Sequence, residues 1–151
     1  MSKRRNRSVG LICAASAAVV AIGFVFALFH GYFDHGQFEV KETNRSPSGR
    51  VAMVAERSDN DALGGLDYFV LIGDHVFSPT ELRFAYYSDK VIFAAENECL
   101  SVHWINARNL TVTCRGGSLD SALINVPRHR LSGDVAITYV NIPETNSAGG
   151  Q

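Results

Sequence analysis

A run of 21 uncharged residues near the start of the chain, Val9 to Phe29, constrains this sequence more than any other feature. A helix rises about 1.5 Å per residue, so this run would extend roughly 31 Å, close to the apolar thickness of a bilayer. A transmembrane α-helix over residues 9–33, including the aromatic residues at its outer end, is therefore predicted. The alternative is a signal peptide cleaved at Ala15-Ser16-Ala17, but about a dozen apolar residues continue beyond that triplet and favour an uncleaved anchor.

Positive charge at the N-terminal end predicts the orientation of this segment. Four basic residues precede the apolar run; they are Lys3, Arg4, Arg5 and Arg7. Because Lys and Arg concentrate on the cytoplasmic side of a membrane segment, the N-terminus is predicted in the cytoplasm and the remainder in the periplasm or outside the cell. The predicted layout is a basic tail (1–8), the membrane segment (9–33), a β domain (34–143) and a flexible tail (144–151), with the lipid bilayer as first partner.

Small residues recur along one face of the predicted membrane helix. Gly10, Ala14 and Ala18 are spaced by four residues, a pattern that lets two membrane helices approach closely. It predicts a helix–helix contact and, through it, a homodimer. The alternative is that alanine is simply common in such helices.

The predicted β domain is acidic. From Asp34 onward it contains ten Lys and Arg residues against fifteen Asp and Glu residues, a net charge of −5, whereas the whole chain carries −1. Because this composition leaves no basic surface to meet phosphates, it argues against a nucleic-acid partner.

Alternating apolar and polar residues between turn-rich segments predict about seven short strands, hence an all-β domain built as a small sandwich or a partly open barrel. The strongest strand is Leu66–Ile72, which is apolar on both faces. Segment 76–88 has two interpretations. Ser78-Pro79-Thr80-Glu81 matches the capping box of a helix start, but the alternation from Leu82 to Tyr87 slightly favours a strand.

A hairpin is predicted between Leu100 and Cys114. A three-residue loop, Ala107-Arg108-Asn109, would place Trp104 opposite Val112 and collect the apolar side chains on one face. Packing of Trp104 in the core is therefore favoured over exposure as an anchor for a partner.

Two of the three cysteines, Cys99 and Cys114, lie in the predicted exported domain, where a disulfide is chemically favoured. The predicted register places them on opposite faces of the hairpin. A bond between them therefore requires the chain to leave the strand ladder at Cys99, and both possibilities stay open.

No catalytic, cofactor-binding or metal site is predicted. The histidines lack the recurrent spacing of metal ligands, and no serine lies in a G-x-S-x-G turn. An enzyme or a metal protein would require side chains that converge on one point; the candidates are His75, His103, Glu96 and Glu98. If segment 76–88 is an edge, then Phe77, Tyr86 and Tyr87 predict a patch that binds a partner.

Several short motifs follow one another in this chain: Ser46-Pro47-Ser48-Gly49, Glu56-Arg57, Val102-His103-Trp104 and the strand from Leu110 to Cys114. Their order resembles that of small uncharacterised bacterial membrane-anchored envelope proteins, with S-P-D-G, a strand ending in E-R, and V-x-W before a short strand. The resemblance covers residues 38–114, and Ser48 stands where the pattern has Asp. It implies placement in the bacterial envelope and supplies no catalytic residues. Together with the predicted membrane helix, this predicts location in the bacterial inner (plasma) membrane.

The predicted function is that of a single-pass, membrane-anchored binding or interaction module, an envelope accessory protein whose partner is another envelope protein. One alternative is a toxin-immunity protein acting in the periplasm. The other is an enzyme or a metal-binding protein with an unrecognised site. No cofactor is predicted.

Overall fold

The computed structural model describes residues 16–25, 36–59, 65–126 and 128–144. The chain divides into two compact units, residues 1–34 and residues 35–151. The described part of the first unit is one helix, whereas every described strand belongs to the second unit.

The helix of the first unit, named α1, is described over residues 16–25. Ten helical residues extend about 15 Å, roughly half the apolar thickness of a bilayer. Among the described residues, no helix is long and apolar enough to cross a membrane. The predicted transmembrane helix over 9–33 is therefore wrong, as is the inner-membrane placement that depended on it. A run of uncharged residues sets the hydropathy but not the length of a helix; the rest of 9–33 lies outside the described residues.

Five strands of the second unit form one antiparallel sheet, named sheet A. They are β1 (Gln37–Arg45), β2 (Val51–Ser58), β3 (Leu66–Gly73), β4 (Phe93–Ala95) and β7 (Ile124–Val126). Their spatial order is β1-β2-β3-β4-β7, so the first three strands form a meander with β1 at one edge.

Four strands form a second sheet, named sheet B. They are β5 (Leu100–Asn106), β6 (Asn109–Cys114), β8 (Leu131–Ser132) and β9 (Val135–Val140). Their spatial order is β5-β6-β9-β8, and β6 and β9 run parallel. The described residues thus form nine strands in two sheets, with two short α-helices and one 3-10 helix, Ser121–Leu123. The prediction of an all-β domain of about seven strands behind a membrane helix is corrected accordingly.

The second helix, α2 (Pro79–Tyr86), occupies the segment for which a strand was favoured, so that prediction is wrong. The capping box decides the outcome. The backbone N–H of Ser78 donates to Glu81 Oε2 at 2.8 Å, and the backbone N–H of Glu81 faces the Ser78 hydroxyl at 3.4 Å. Leu82 and Ala85 are the buried residues of α2, at the i, i+3 spacing of one helix face.

Helix α2 covers one face of sheet A. The apolar cluster between them is named the helix-side core. Its members are Phe38, Val51, Met53, Ala55, Phe69, Leu71, Leu82, Ala85, Val91 and Ala94. The other face of sheet A packs against sheet B, which makes the second unit a stack of three layers.

The cluster between the two sheets is named the inter-sheet core. Its members include Ala52, Val54, Tyr68, Val70, Phe93, Leu100, Val102, Trp104, Leu110, Val112, Val135 and Ile137. Strands β2 and β3 contribute to both cores. Their sequences are apolar on both faces because each face meets another layer.

The hairpin of β5 and β6 pairs Trp104 with Leu110, two residues away from the predicted register. The turn contains only Ala107 and Arg108, because the side-chain oxygen of Asn106 accepts the Arg108 N–H at 2.9 Å and closes it tightly. Ile105 lies in a bulge and is exposed. A shift of two residues keeps every side chain on its face, so Trp104 is still buried in the core.

Candidate functional site

A polar cleft opens where the edge strands β1 and β5 of the two sheets meet. Its volume is about 270 Å³. The lining residues are Lys41, Glu42, Val54, Glu56, Tyr68, Glu98, Leu100 and Arg115. Three carboxylates against two cations give the cleft a formal charge of −1.

A β-bulge at Lys41 aims the first of these carboxylates at sheet B. The register of β1 against β2 shifts between Val40 and Glu42, so side chains change face there. Phe38 belongs to the helix-side core and Val40 packs against it, whereas Glu42 and Asn44 form hydrogen bonds with β5. Strict alternation without the bulge would have pointed Glu42 into the helix-side core.

Three donors hold the carboxylate of Glu42. Oxygen Oε1 accepts hydrogen bonds from the Ser101 hydroxyl at 2.9 Å and from the Val102 N–H at 3.2 Å. Oxygen Oε2 accepts from the Arg115 guanidinium at 2.9 Å. Glu42 therefore fixes Arg115 in one wall of the cleft and ties β1 to β5.

Asn44 extends this connection between the sheets. Its side-chain oxygen accepts the backbone N–H of Trp104 at 3.1 Å, and its carbonyl oxygen accepts the indole N–H at 3.0 Å. The side chains of Glu42 and Asn44 thus occupy the positions where a neighbouring strand would accept the N–H groups of Val102 and Trp104. They cover this part of the outer edge of sheet B.

Tyr68 and Glu56 form the floor of the cleft. Burial, and secondarily a hydrogen bond to Glu56, raises the pKa of the Tyr68 hydroxyl to about 12, so it stays protonated at neutral pH. Lys41 Nζ lies 2.9 Å from Glu39 Oε2 and 3.3 Å from Glu56 Oε2. The hydrogen bond with Glu39 is the main cause that raises the pKa of Lys41, which is therefore charged and already paired.

Glu98 differs from the other charged groups of the cleft. Within the described ranges, no side chain or backbone group forms an ion pair or a hydrogen bond with its exposed carboxylate. Its negative charge instead acts on Tyr68, where it contributes to the raised pKa. Since Lys41 and Arg115 are both engaged by carboxylates, the unsatisfied charge of the cleft is negative and suits an incoming cation.

A disulfide joins Cys99 to Cys114 at the end of the cleft, with 4.7 Å between their Cα atoms. Strand β5 begins at Leu100, which pairs with Cys114, so the chain leaves the ladder at Cys99 as the bond requires. The Arg115 N–H still donates to the Cys99 carbonyl at 2.7 Å. The bond therefore holds together the two chain segments that carry Glu98 and Arg115.

The three aromatic residues of the predicted patch lie in different environments. The ring of Tyr86 lies 5.0 Å from that of Phe69, and its hydroxyl donates to the buried carboxylate of Asp67. Phe77 packs partly buried against the helix-side core. Of the three, only Tyr87 is exposed, because Tyr86 at the end of α2 and Phe77 in the loop before α2 both pack against the helix-side core. The three side chains therefore do not form one exposed surface.

The residues of the predicted helix–helix contact lie in the first unit. Gly10 and Ala14 are outside the described residues, and Ala18 is an exposed residue of α1. The homodimer stays a prediction.

The metal hypothesis required histidines and carboxylates to converge. Among the residues that the structure describes, no group of three or more His, Cys, Asp and Glu side chains is placed to hold a metal ion. His103 lies on the exposed face of sheet B opposite Thr111. His75 and Glu98 line two separate pockets.

A second polar cluster surrounds His75 in a pocket of about 320 Å³ at the start of α2. The imidazole lies between two carboxylates, with Nδ1 2.6 Å from Asp74 and Nε2 2.9 Å from Glu81. Hydrogen bonds to Glu81 and then Asp74 raise the pKa of His75. The backbone hydrogen bond from Ser78 is the main cause that lowers the pKa of Glu81 to about 2.

We expect this cluster to stabilise α2 most strongly between about pH 4.5 and pH 6.5. The raised pKa of His75 gives a contribution that is complete below 6.5 and disappears as the pH rises through the folded-state value. The lowered pKa of Glu81 gives a contribution that is complete above 4.5 and disappears as the pH falls toward about 2. An NMR titration of the His75 ring should show that Glu81→Gln lowers its pKa.

The control for this titration is Asp120→Asn. It removes an exposed carboxylate at the start of the short 3-10 helix Ser121–Leu123 but keeps a side chain that caps a helix well. It should leave the His75 titration curve in place. An equal displacement by both variants would contradict the direct pairing of His75 with Glu81.

The charged lining of the cleft was missed by the sequence analysis, apart from Glu98. The signal that points to it is the pair Lys41-Glu42, where two charged residues in succession break the alternation of β1. Such a break marks either a strand end or a bulge, and the strand continues here to Arg45.

No family model matches this chain, and no curated protein or solved structure matches it either. The resemblance to envelope proteins stays an expectation from the sequence. Any functional conclusion therefore depends on the geometry and charge of the cleft itself.

Proposed function

We propose that the second unit is a binding module whose cleft receives the cationic side chain of a lysine or arginine from a partner protein. The observation that carries this proposal is the unpaired carboxylate of Glu98 in a cleft whose own cations are already neutralised. A volume of about 270 Å³ lies just below the usual range for small-ligand pockets, so it suits one long side chain rather than a cofactor.

The lining of the cleft matches both parts of such a side chain. Val54 and Leu100 offer apolar surface to the hydrocarbon stem of a lysine or arginine. The carboxylate of Glu98 is available to the charged head, and the net charge of −5 from Asp34 onward attracts cations over a longer range.

The test uses a Gly-Lys-Gly peptide with blocked termini, followed by NMR shifts of the backbone amides. We expect shifts at Leu100 and Arg115, and we expect Glu98→Gln to weaken binding about fivefold, the loss of roughly 1 kcal/mol from one partly exposed ion pair. The same peptide with acetyl-lysine lacks the charge and should not bind.

The matched control is Asp89→Asn. Asp89 is an exposed carboxylate in the turn after α2, on the side of sheet A opposite the cleft, so its loss should change the affinity less than twofold. Binding that responds equally to both variants, or that persists with acetyl-lysine, would show that overall charge rather than the cleft attracts the peptide. That result would refute the proposed function.

A further inference from the structure

A separate pocket, of about 240 Å³, lies beside the C-terminal strand β9. Its lining residues are Arg128, Arg130, Ile137, Thr138, Tyr139 and Glu144. Two guanidinium groups meet one carboxylate there. Oxygen Oε1 of Glu144 lies 2.6 Å from Arg128 Nη2 and 2.5 Å from Arg130 Nη2.

The guanidinium of Arg128 is held in position by groups other than Glu144. Its side chain is only 15% exposed, and Nη1 donates to the Ile142 carbonyl at 3.1 Å. Its Cζ atom lies over the ring of Tyr139, 5.3 Å from the centroid. The Tyr139 hydroxyl is in turn 2.9 Å from the His129 carbonyl oxygen. Because the guanidinium of Arg128 is already held in one position, it can bind an oxyanion with little further loss of side-chain entropy.

The carboxylate that now occupies the pocket is largely exposed, and so is one of its two arginine partners. Glu144 is 63% exposed and Arg130 is 79% exposed, and ion pairs this exposed contribute about 0–1 kcal/mol. Both arginines contact the same oxygen of Glu144. A free anion, which is not tethered to the backbone as Glu144 is, can turn so that each guanidinium meets a separate oxygen.

We propose that Arg128, Arg130 and Thr138 form an oxyanion-binding site in which Glu144 takes the place of an external phosphate or carboxylate group. The ligand displaces Glu144, which remains attached through the segment after β9 and competes with it. This site shares no residue with the cleft of the proposed function, so either one stands or fails separately.

The test compares the wild-type protein with Glu144→Gln, using inorganic phosphate and acetate at constant ionic strength. Amide shifts of Thr138 and Tyr139 report binding. If Glu144 occupies the site about nine-tenths of the time, its removal should raise the affinity for phosphate about tenfold. A stronger response to phosphate than to acetate assigns a phosphoryl ligand, and a response to acetate that is at least as strong assigns a carboxylate.

Two further variants make the proposal falsifiable. Adding Arg130→Gln to Glu144→Gln should abolish the gain, and this exposed residue can be changed without loss of the fold. Asp134→Asn is the matched control, because Asp134 also lies between two guanidinium groups, at 2.6 Å from Arg50 and 3.6 Å from Arg108, without a fork as buried as that of Arg128. An equal gain in Asp134→Asn, or no phosphate-dependent shift in Glu144→Gln, would overturn the proposal.

Discussion

Replacing Phe69 with alanine is expected to lower the free energy of unfolding by about 3–5 kcal/mol, the largest effect predicted for a single substitution in this chain. Phe69 is fully buried in β3, and its ring packs against those of Phe38 and Tyr86. Its removal would leave a cavity between sheet A and α2. The residues directly opposite it on the neighbouring strands, Ala55 and Ala94, are too small to fill that space.

Equilibrium unfolding in urea measures this effect, and Phe84→Ala is the control. Phe84 has the same side chain and lies on α2, but it is 46% exposed, so its loss should change the stability by no more than about 0.5 kcal/mol. Comparable losses in the two variants would contradict the packing of α2 on sheet A. Without that packing, the second unit would have two layers, sheet A and sheet B, instead of three.

Reduction of the disulfide between Cys99 and Cys114 should lower the stability by about 3 kcal/mol, the second-largest effect that we expect. The bond joins residues 15 positions apart and so restricts the unfolded chain around the whole β5–β6 hairpin. In the folded state it also holds Glu98 and Arg115 near one another, so reduction should weaken binding of the lysine peptide in the cleft.

The measurement is best made in a Cys13→Ser background, where only this pair of cysteines remains. Reductant should shift the unfolding midpoint of that protein. It should have no effect once Cys99→Ala and Cys114→Ala are added, and alanine avoids placing a hydroxyl group in the core at Cys114. If reductant does not shift the unfolding midpoint of the Cys13→Ser protein, the disulfide between Cys99 and Cys114 is contradicted.

The sequence predicted β-strands well where side chains alternate or are apolar on both faces. It predicted poorly where one local hydrogen bond selects between a helix and a strand or between two turns. Strand β3 is recognisable because the segment is apolar on both faces, and in the structure every residue from Tyr68 to Leu71 is buried. A strand buried on both faces needs a layer on each side, and that requirement could have favoured helix α2 over a strand. The capping box at Ser78 carried the same information, but local alternation concealed it.

Other features could not be predicted because the sequence pattern does not distinguish the alternatives. A hairpin register shifted by two residues leaves Trp104 on the same face, so only the side-chain hydrogen bond of Asn106 selects the tighter turn. The cleft depends on the bulge at Lys41 and on partners of Glu42 about 60 residues away. The apolar run near the N-terminus predicted a helix long enough to span a membrane, whereas α1 is described over only residues 16–25.

The parallel pairing of β6 with β9 has a consequence for biosynthesis. The chain must pass from β6 through β7 of sheet A before β9 returns to lie beside β6, so sheet B cannot be completed until residue 140 has left the ribosome. Val135 and Ile137 are buried in the inter-sheet core. A nascent chain that ends before β9 therefore leaves one edge of β6 unpaired and the inter-sheet core without Val135 and Ile137, so folding of this unit is completed only after translation of its last strand.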